Sequence, residues 1–233
     1  MFIDFHAHFL HGIDDGATDV STGVAMLSES WNQGTKYILA TPHFHYGDAD
    51  INEEISKRDT ALAEIKEYAE ANSIKIPHII SGFEVDFKYS LKNDPQIDKL
   101  CIEGTNHLLV EMPYNNWKQN DIEALYELTL MGIKPVIAHV DRYYRCFGDE
   151  IFDVFDLDAV FQMNCKVMET IAGRNFVKKI MKAGKVCVMG TDMHNLTTRT
   201  CNIQKAHEIA HKKLFEYSKK LFYVNAAKIL LFN

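Results

Sequence analysis

The sequence predicts an α/β fold whose parallel strands close into a distorted, TIM-like (β/α)7 barrel. Seven apolar runs of strand character alternate with helical stretches, and parallel strands require such crossover connections. Polar residues suited to chemistry follow six of these strands at their carboxyl ends. An open sheet gathers its ligands at one switch point, whereas a barrel brings all strand ends to one mouth, so the barrel is preferred.

The chain opens on the segment MFIDFHAH, which predicts a strand that carries His6 and His8. Side chains two residues apart on a strand face the same way, so both imidazoles can approach one ion. By itself, this spacing is weak and favours two histidines at a polar strand end. A metal site can therefore be predicted only if further ligand residues occur elsewhere in the sequence.

The remaining elements follow in regular order. A Gly- and Asp-rich loop leads to a helix over residues 21–33, which Gly34 is expected to end. Further strands are predicted at residues 37–40, 76–85, 107–111, 135–139, 160–163 and 186–190. Helices are predicted at 51–72, 121–132 and 175–183, and from Ile203 onward. No linker or composition shift divides the chain, so residues 1–233 are expected to form a single domain.

Composition excludes several classes of protein. The net charge of -7 and the lack of a basic cluster argue against a nucleic-acid binder. No apolar run approaches the ~18 residues of a membrane span, and no signal peptide precedes the first strand, so no membrane insertion and a cytoplasmic location are expected. The five scattered cysteines lack any CxxC and fit reduced thiols.

Histidines and carboxylates recur at the predicted strand ends, and together they predict a multinuclear metal site. Glu84 and Glu111 end otherwise apolar strands, where burial is costly unless cations compensate it. Asp192 and His194 repeat the spacing of the first histidine pair, and a carboxylate can bridge two ions. The histidines at strand ends are His6, His8, His43, His139 and His194.

A family resemblance rests on seven motifs that occur in order between residues 1 and 206. They are DFHAH, GIDDGA, ATPH, GFEV, LLVEM, IAHVDRY and GTDMHN. This set resembles the PHP (polymerase and histidinol phosphatase) superfamily. More narrowly, it is similar to the CpsB/CapC-type manganese-dependent protein-tyrosine phosphatases of bacterial capsule and exopolysaccharide operons. The resemblance implies the PHP form of the barrel and three divalent ions, with manganese preferred over iron or zinc.

The resemblance also implies a role for each matching residue. One ion would be held by His6, His8, Glu84 and Asp192, a second by Glu84, Glu111 and His139, and a third by Asp15, His43 and His194. Asp141 stands where relatives often have Glu and is not expected to bind metal. Arg142 and Arg199 would clamp the phosphate, because a guanidinium matches phosphate oxygens with two donors.

The implied activity is that of a metal-dependent phosphomonoesterase acting on phosphotyrosine, with a tyrosine autokinase of capsule or exopolysaccharide synthesis as partner. Clustered ions would activate water as hydroxide for attack on phosphorus. A cysteine-based phosphatase is excluded, because no cysteine has Arg six positions later. Two alternatives stay open: a small-molecule phosphatase such as histidinol-phosphate phosphatase, and a non-catalytic regulatory PHP module. The oligomeric state is also left open.

Two further patterns bear on the site. Tyr46, Tyr143 and Tyr144 could line the mouth of the barrel and stack on an aromatic substrate. Residues 207–211 read HEIAH and match the HExxH motif of zinc proteases. A third protease ligand is missing, since only Glu216 follows as a carboxylate, so this motif is expected to lie on a solvated helix face.

Overall fold

The computed structural model of the chain describes residues 1–114, 117–148 and 157–230. The strands are β1 (Phe2–Asp4), β2 (Thr35–Ala40), β3 (His43–Phe44), β4 (His78–Ser81), β5 (Glu84–Asp86), β6 (His107–Glu111), β7 (Lys134–Ile137), β8 (Val160–Asn164) and β9 (Val186–Gly190). The helices are α1 (Val20–Asn32), α2 (Ile51–Ala71), α3 (Gln119–Leu130), α4 (Val140–Phe147), α5 (Ile171–Lys182), α6 (Ile203–Lys213), α7 (Phe215–Lys219) and α8 (Asn225–Leu230). A 3-10 turn, Cys165–Glu169, follows β8.

The strands form a closed parallel barrel, which confirms the predicted fold class. One sheet has the order β1-β2-β4 and the other the order β3-β5-β6-β7-β8-β9, and every pairing between strands is parallel. The last strand closes on the first: the Phe5 amide donates to the Met189 carbonyl at 3.0 Å, and the Asp192 amide donates to His6 at 2.8 Å. Closure therefore brings the residues that follow the first strand beside those that follow the last strand, at the barrel mouth.

The prediction of seven uninterrupted strands was wrong in detail, although seven barrel positions are present. The predicted strand 76–85 is divided into β4 and β5, and β3 follows β2 as a separate short strand. The break occurs where hydrogen bonding changes partner, because the Gly82 amide donates to Ala40 and the Glu84 amide donates to Pro42. Helix α4, which begins directly after His139, was not predicted.

The helix ends follow local chemistry. The Asp19 carboxylate accepts from the Thr22 amide at 2.8 Å and caps α1, and Gly34 follows the helix with φ +99° as expected for a C-terminal glycine. The helical region predicted from Ile203 onward is confirmed as three α-helices and a π-helical turn up to Leu230. Residues 231–233 of that prediction lie outside the described residues.

Two apolar clusters support the barrel. The smaller one joins alternate strand residues such as Phe5, Leu109 and Val188, which fill the barrel interior, and helix α8 packs against it. The larger one lies between the strands and the surrounding helices. Among the described helices, none combines the length and the apolarity that crossing a membrane requires.

Candidate metal centre

The nine predicted ligand side chains come together at the carboxyl ends of the strands. Within the described residues, three groups of side chains have ligand atoms that all lie within 4.8 Å of one another. The groups are His6, His8 and Asp192; His43, Glu84 and Glu111; and His8, Asp15, His43 and His194. The ninth residue, His139, places Nε2 3.3 Å from Glu111 Oε1 and so joins the second group.

Glu84 lies at the centre of this arrangement, buried at 1% exposure. Its Oε2 atom is 3.0 Å from His6 Nε2 and 3.2 Å from His8 Nε2. The same oxygen lies 3.3 Å from His43 Nδ1, and Oε1 lies 2.9 Å from His139 Nε2. One carboxylate thus faces four imidazoles, as a ligand shared between ions must.

The first histidine pair is oriented by side chains that sequence reasoning missed. His6 Nε2 and His8 Nε2 face each other at 2.9 Å. Their other ring nitrogens are engaged, since His8 Nδ1 lies 2.7 Å from Asp14 Oδ2 and His6 Nδ1 lies 3.1 Å from Gln162 Oε1. With protons on both Nδ1 atoms, each Nε2 presents a lone pair to the centre, which is how outer partners usually orient metal-binding histidines.

The third group is more open to solvent. Asp15 is the exposed member, with 66% of its side chain accessible, and its Oδ1 lies 3.6 Å from His43 Nε2 and 3.3 Å from His194 Nε2. The Nε2 atom of His194 is buried and has no hydrogen-bond partner. An unpartnered buried nitrogen beside a carboxylate is suited to binding a cation.

The geometric groups differ from the ligand sets that the resemblance implies. His43 falls with Glu84 and Glu111 as well as with Asp15, and His8 also approaches the third group. The side chains are packed closely enough that each of these histidines lies beside two groups. The assignment of individual ligands to individual ions therefore stays a prediction.

The two predicted clamp arginines both contact Asp192. Arg199 Nη2 donates to Asp192 Oδ1 at 2.7 Å, and Arg142 Nη2 donates to Oδ2 of the same carboxylate. Asn164 Nδ2 also donates to Oδ2 at 2.8 Å. Both guanidinium groups remain partly exposed, at 32% and 37%. They therefore border the ligand cluster with donors accessible from the mouth.

Backbone geometry at the site is unusual. His139 has φ 29° and Asp192 has φ 55°, and they are two of the three non-glycine residues with positive φ in the described chain. Such conformations cost free energy and recur at functional sites. At Gly190, a Cβ atom would lie 2.6 Å from His6 Cβ, so only glycine lets β9 approach the first histidine this closely.

The charges of the centre are balanced by histidine protons. Burial acts to lower the pKa of His8, but hydrogen bonds with Asp14 and Glu84 raise it to about 10. Burial also acts to lower the pKa of His139, whereas hydrogen bonds with Glu111 and Glu84 raise it to about 9. Without metal, protonated imidazoles beside the carboxylates therefore supply the positive charge that a bound cation would otherwise supply.

The tyrosines expected at the mouth lie elsewhere. Tyr143 is fully buried, Tyr144 stacks on Phe176 at 4.0 Å between ring centroids, and the Tyr46 hydroxyl donates to Asp94. The prediction was wrong for Tyr143 and Tyr144, because α4 turns both side chains toward the core.

Tyr114 occupies the mouth instead, half exposed at 50%. Its hydroxyl accepts from Arg142 Nη1 at 2.8 Å and donates to Glu111 Oε1 at 3.1 Å. No sequence motif marked this residue. Its hydroxyl joins a predicted clamp arginine to a predicted metal ligand.

Comparison with known proteins identifies the family. Tyrosine-protein phosphatase YwqE of Bacillus subtilis is 28% identical over 240 residues, covering 99% of this chain and 92% of that protein. Tyrosine-protein phosphatase CpsB of Streptococcus pneumoniae is 28% identical, covering 98% of both chains.

A solved structure shows the same fold. It comes from work on YwqE and CpsB, which are described there as unique metal-dependent tyrosine phosphatases. It superimposes with a TM-score of 0.79 at 24% identity, covering 94% of this chain and 93% of that one. The sequence profile of the capsular polysaccharide synthesis family CpsB/CapC matches residues 2–231. The chain therefore belongs to the CpsB/CapC family.

Proposed function

We propose that this chain is a metal-dependent phosphomonoesterase that hydrolyses phosphotyrosine in proteins. The observation that carries the proposal is the convergence of nine histidine, aspartate and glutamate side chains around Glu84, with two arginines at the margin. Clustered carboxylates and imidazoles suit divalent ions, and guanidinium groups beside them suit a phosphate ester. The tyrosine phosphatases among the relatives support phosphotyrosine as the substrate.

The donor set fits three divalent ions, and we propose manganese as the preferred metal, with iron or zinc as substitutes. Histidine nitrogens and carboxylate oxygens bind all three metals. His194 Nε2 has no hydrogen-bond partner, and the Nε2 atoms of His6 and His8 face each other and Glu84, so an ion that displaces protons there could bind all three. We assign His6, His8, Glu84 and Asp192 to one ion; Glu84, Glu111 and His139 to a second; and Asp15, His43 and His194 to a third.

The chain's own residues would bind and orient the ester. Arg142 and Arg199 would hold the phosphoryl oxygens, while Asp14 and Gln162 keep the first two histidines in the tautomer that binds metal. Bound divalent ions would supply the Lewis acidity that makes water nucleophilic at neutral pH and would neutralise phosphoryl charge. No side chain has to form a covalent intermediate.

We propose a tyrosine autokinase of capsule or exopolysaccharide synthesis as the protein substrate. Membership of a capsular polysaccharide synthesis family supports this partner. We also propose that residues 1–233 act as one domain in the cytoplasm, where free thiols persist, since all five cysteines are unpaired and four of them are buried.

The proposal is tested by metal analysis and by substrate comparison. Protein purified with manganese should contain two to three metal equivalents and should hydrolyse a phosphotyrosyl peptide and p-nitrophenyl phosphate much faster than histidinol phosphate. The variant His6→Ala should lose this activity while keeping its circular dichroism spectrum. A preference for histidinol phosphate would support the small-molecule phosphatase instead, and absence of bound metal would overturn the proposal.

A further inference from the structure

A polar cavity of about 880 Å³ adjoins the candidate metal centre. It shares Arg142, Asp192 and Arg199 with the centre, but the central ligand Glu84 is not part of its wall. Its volume matches that of whole small-molecule sites, which span roughly 300–1,000 Å³. The cavity therefore extends beyond the two arginines that are proposed to hold the scissile phosphate. It offers space that the phosphate itself would not fill.

The cavity lining has as many acidic as basic side chains, and two of the basic ones, Lys166 and Arg145, are exposed. Lys166, in the turn after β8, is exposed and forms no ion pair with any residue that the structure describes. Arg145 on α4 has 58% of its side chain exposed and lies 3.5 Å from Asp141 in a weak ion pair. Both cations face the cavity, so an anionic group can approach them.

Two acidic side chains, on α1 and α6, also line the cavity. There Glu29 accepts from Gln33 at 2.9 Å, and Glu208 accepts from Gln204 at 3.1 Å. Among the residues that the structure describes, both acids have only neutral amides as side-chain hydrogen-bond partners. A polypeptide with an acidic residue placed beside Lys166 is thus attracted, whereas an acidic residue placed beside Glu29 or Glu208 is repelled.

We propose that this cavity binds the residues that flank phosphotyrosine in a polypeptide substrate and prefers an acidic side chain next to Lys166. The inference rests on the proposed function, since it extends the phosphotyrosine site along the substrate chain. A phosphate ester held by Arg142 and Arg199 is at the edge of this cavity, so its neighbours along the peptide must enter it or leave to solvent. The polar lining favours a substrate peptide with charged residues beside the phosphotyrosine over a peptide with apolar ones.

Charge reversal at Lys166 tests the proposal. Two phosphotyrosyl peptides that differ only in having Glu or Lys beside the phosphotyrosine are compared with p-nitrophenyl phosphate, which has no flanking residues. In Lys166→Glu, kcat/KM for the Glu-flanked peptide should fall about fivefold, as expected for loss of an exposed charge pair, and the loss should shrink at high salt. Hydrolysis of p-nitrophenyl phosphate should change little.

The matched control is Lys178→Glu, which reverses an exposed charge on α5 away from the cavity. Lys178→Glu should hydrolyse both peptides with the same kcat/KM values as the parent protein. Equal effects of Lys166→Glu on both peptides, or none, would overturn the cavity proposal while leaving the phosphatase function intact.

A binding measurement separates the two proposals. If the manganese-loaded parent hydrolyses no aryl phosphate, the proposed function fails, and fluorescence anisotropy of the labelled peptides in EDTA decides about the cavity. Tighter binding of the Glu-flanked peptide to the parent than to Lys166→Glu supports the cavity site. Equal binding to the two proteins overturns it.

Discussion

Several pairs of histidines in this chain have the spacing of metal ligands, and comparison of two of them shows what decides metal binding. His6 and His8 at the barrel mouth face Glu84 at 3.0 and 3.2 Å. His207 and His211 on α6 face aromatic rings. The His207 ring centroid lies 4.7 Å from that of Phe2, and the His211 ring lies 4.8 Å from that of Phe215.

The difference shows that spacing alone does not make a metal site. The pair on α6 is absent from every group of possible metal ligands in the described part of the chain. The expectation of a fully solvated face there was wrong in part, because His207 is half-buried and also packs against Phe222 at 5.3 Å. At the mouth, the barrel supplies carboxylates from other strands, and those carboxylates distinguish the two pairs.

The largest expected effect comes from removing the carboxylate that the histidines share. Glu84→Gln should reduce kcat/KM for p-nitrophenyl phosphate by more than about a hundredfold, because loss of even an outer partner of a metal ligand costs ten- to a hundredfold. Elemental analysis should show loss of at least one metal equivalent.

Glu127→Gln, which changes an exposed partner of Lys92, serves as the control for Glu84→Gln and should retain metal and activity. Full metal content in Glu84→Gln would contradict the central position assigned to this carboxylate.

Protons held by the proposed ligands should make metal binding at the mouth depend on pH. In the metal-free protein His8 and His139 hold protons at pH 7, because their pKa values are raised to about 10 and about 9. A divalent ion must displace these protons, so metal affinity should rise by about tenfold per pH unit for each proton displaced, up to about pH 9. Competition with a chelator between pH 6 and 9 measures this slope, and a flat profile would contradict the protonated state.

A smaller effect is expected from the outer partner of the first pair. Asp14 Oδ2 lies 2.7 Å from His8 Nδ1 and accepts from the His43 amide at 3.0 Å. Asp14→Asn should weaken metal binding by about ten- to a hundredfold while leaving the ligands in place. Titration of the metal-free variant and of the metal-free parent protein with manganese measures this difference in affinity. Asp48→Asn, at a 72% exposed carboxylate, should bind metal like the parent protein.

Much of the barrel and of the residue set at its mouth could be predicted from sequence. The strand positions and the polar residues at their ends follow from apolar runs that stop at charged residues, and eight of the nine proposed ligands were expected there. The ninth, Asp15, was implied only by the family resemblance. The interruption at Gly82 could not be predicted, because it arises where the strand changes hydrogen-bonding partners, which are distant in sequence.

The residues that were missed share one property. Gln162 and Asn164 lie in β8, which reads as an ordinary buried strand, and they contact His6 and Asp192 only after the barrel closes. Their one available signal was polarity inside an apolar strand, since a buried amide needs a partner. Tyr143 and Tyr144 were misjudged because α4 was not predicted, and no motif marked Tyr114.

A modest effect is expected at the margin of the mouth. Tyr114→Phe removes the hydroxyl that accepts from Arg142 Nη1 and donates to Glu111. Loss of one such hydrogen bond to a charged group should raise KM for p-nitrophenyl phosphate about fivefold, with little change in metal content. Steady-state kinetics measure this shift. Tyr126→Phe, at a tyrosine 53% exposed on α3, is the control, and identical kinetics for the two variants would exclude a role of the Tyr114 hydroxyl.

The smallest effects on activity are expected at the second histidine pair. His207→Ala and His211→Ala should retain metal content and kcat/KM, because neither imidazole lies near a carboxylate group at the mouth. Their effects should fall on stability and should be unequal. His207 packs between Phe2 and Phe222, so its removal should lower the free energy of unfolding by about 1 kcal/mol, whereas the exposed His211 should matter less. Urea denaturation separates the two variants, and loss of a metal equivalent from either would show that the HExxH spacing does bind an ion.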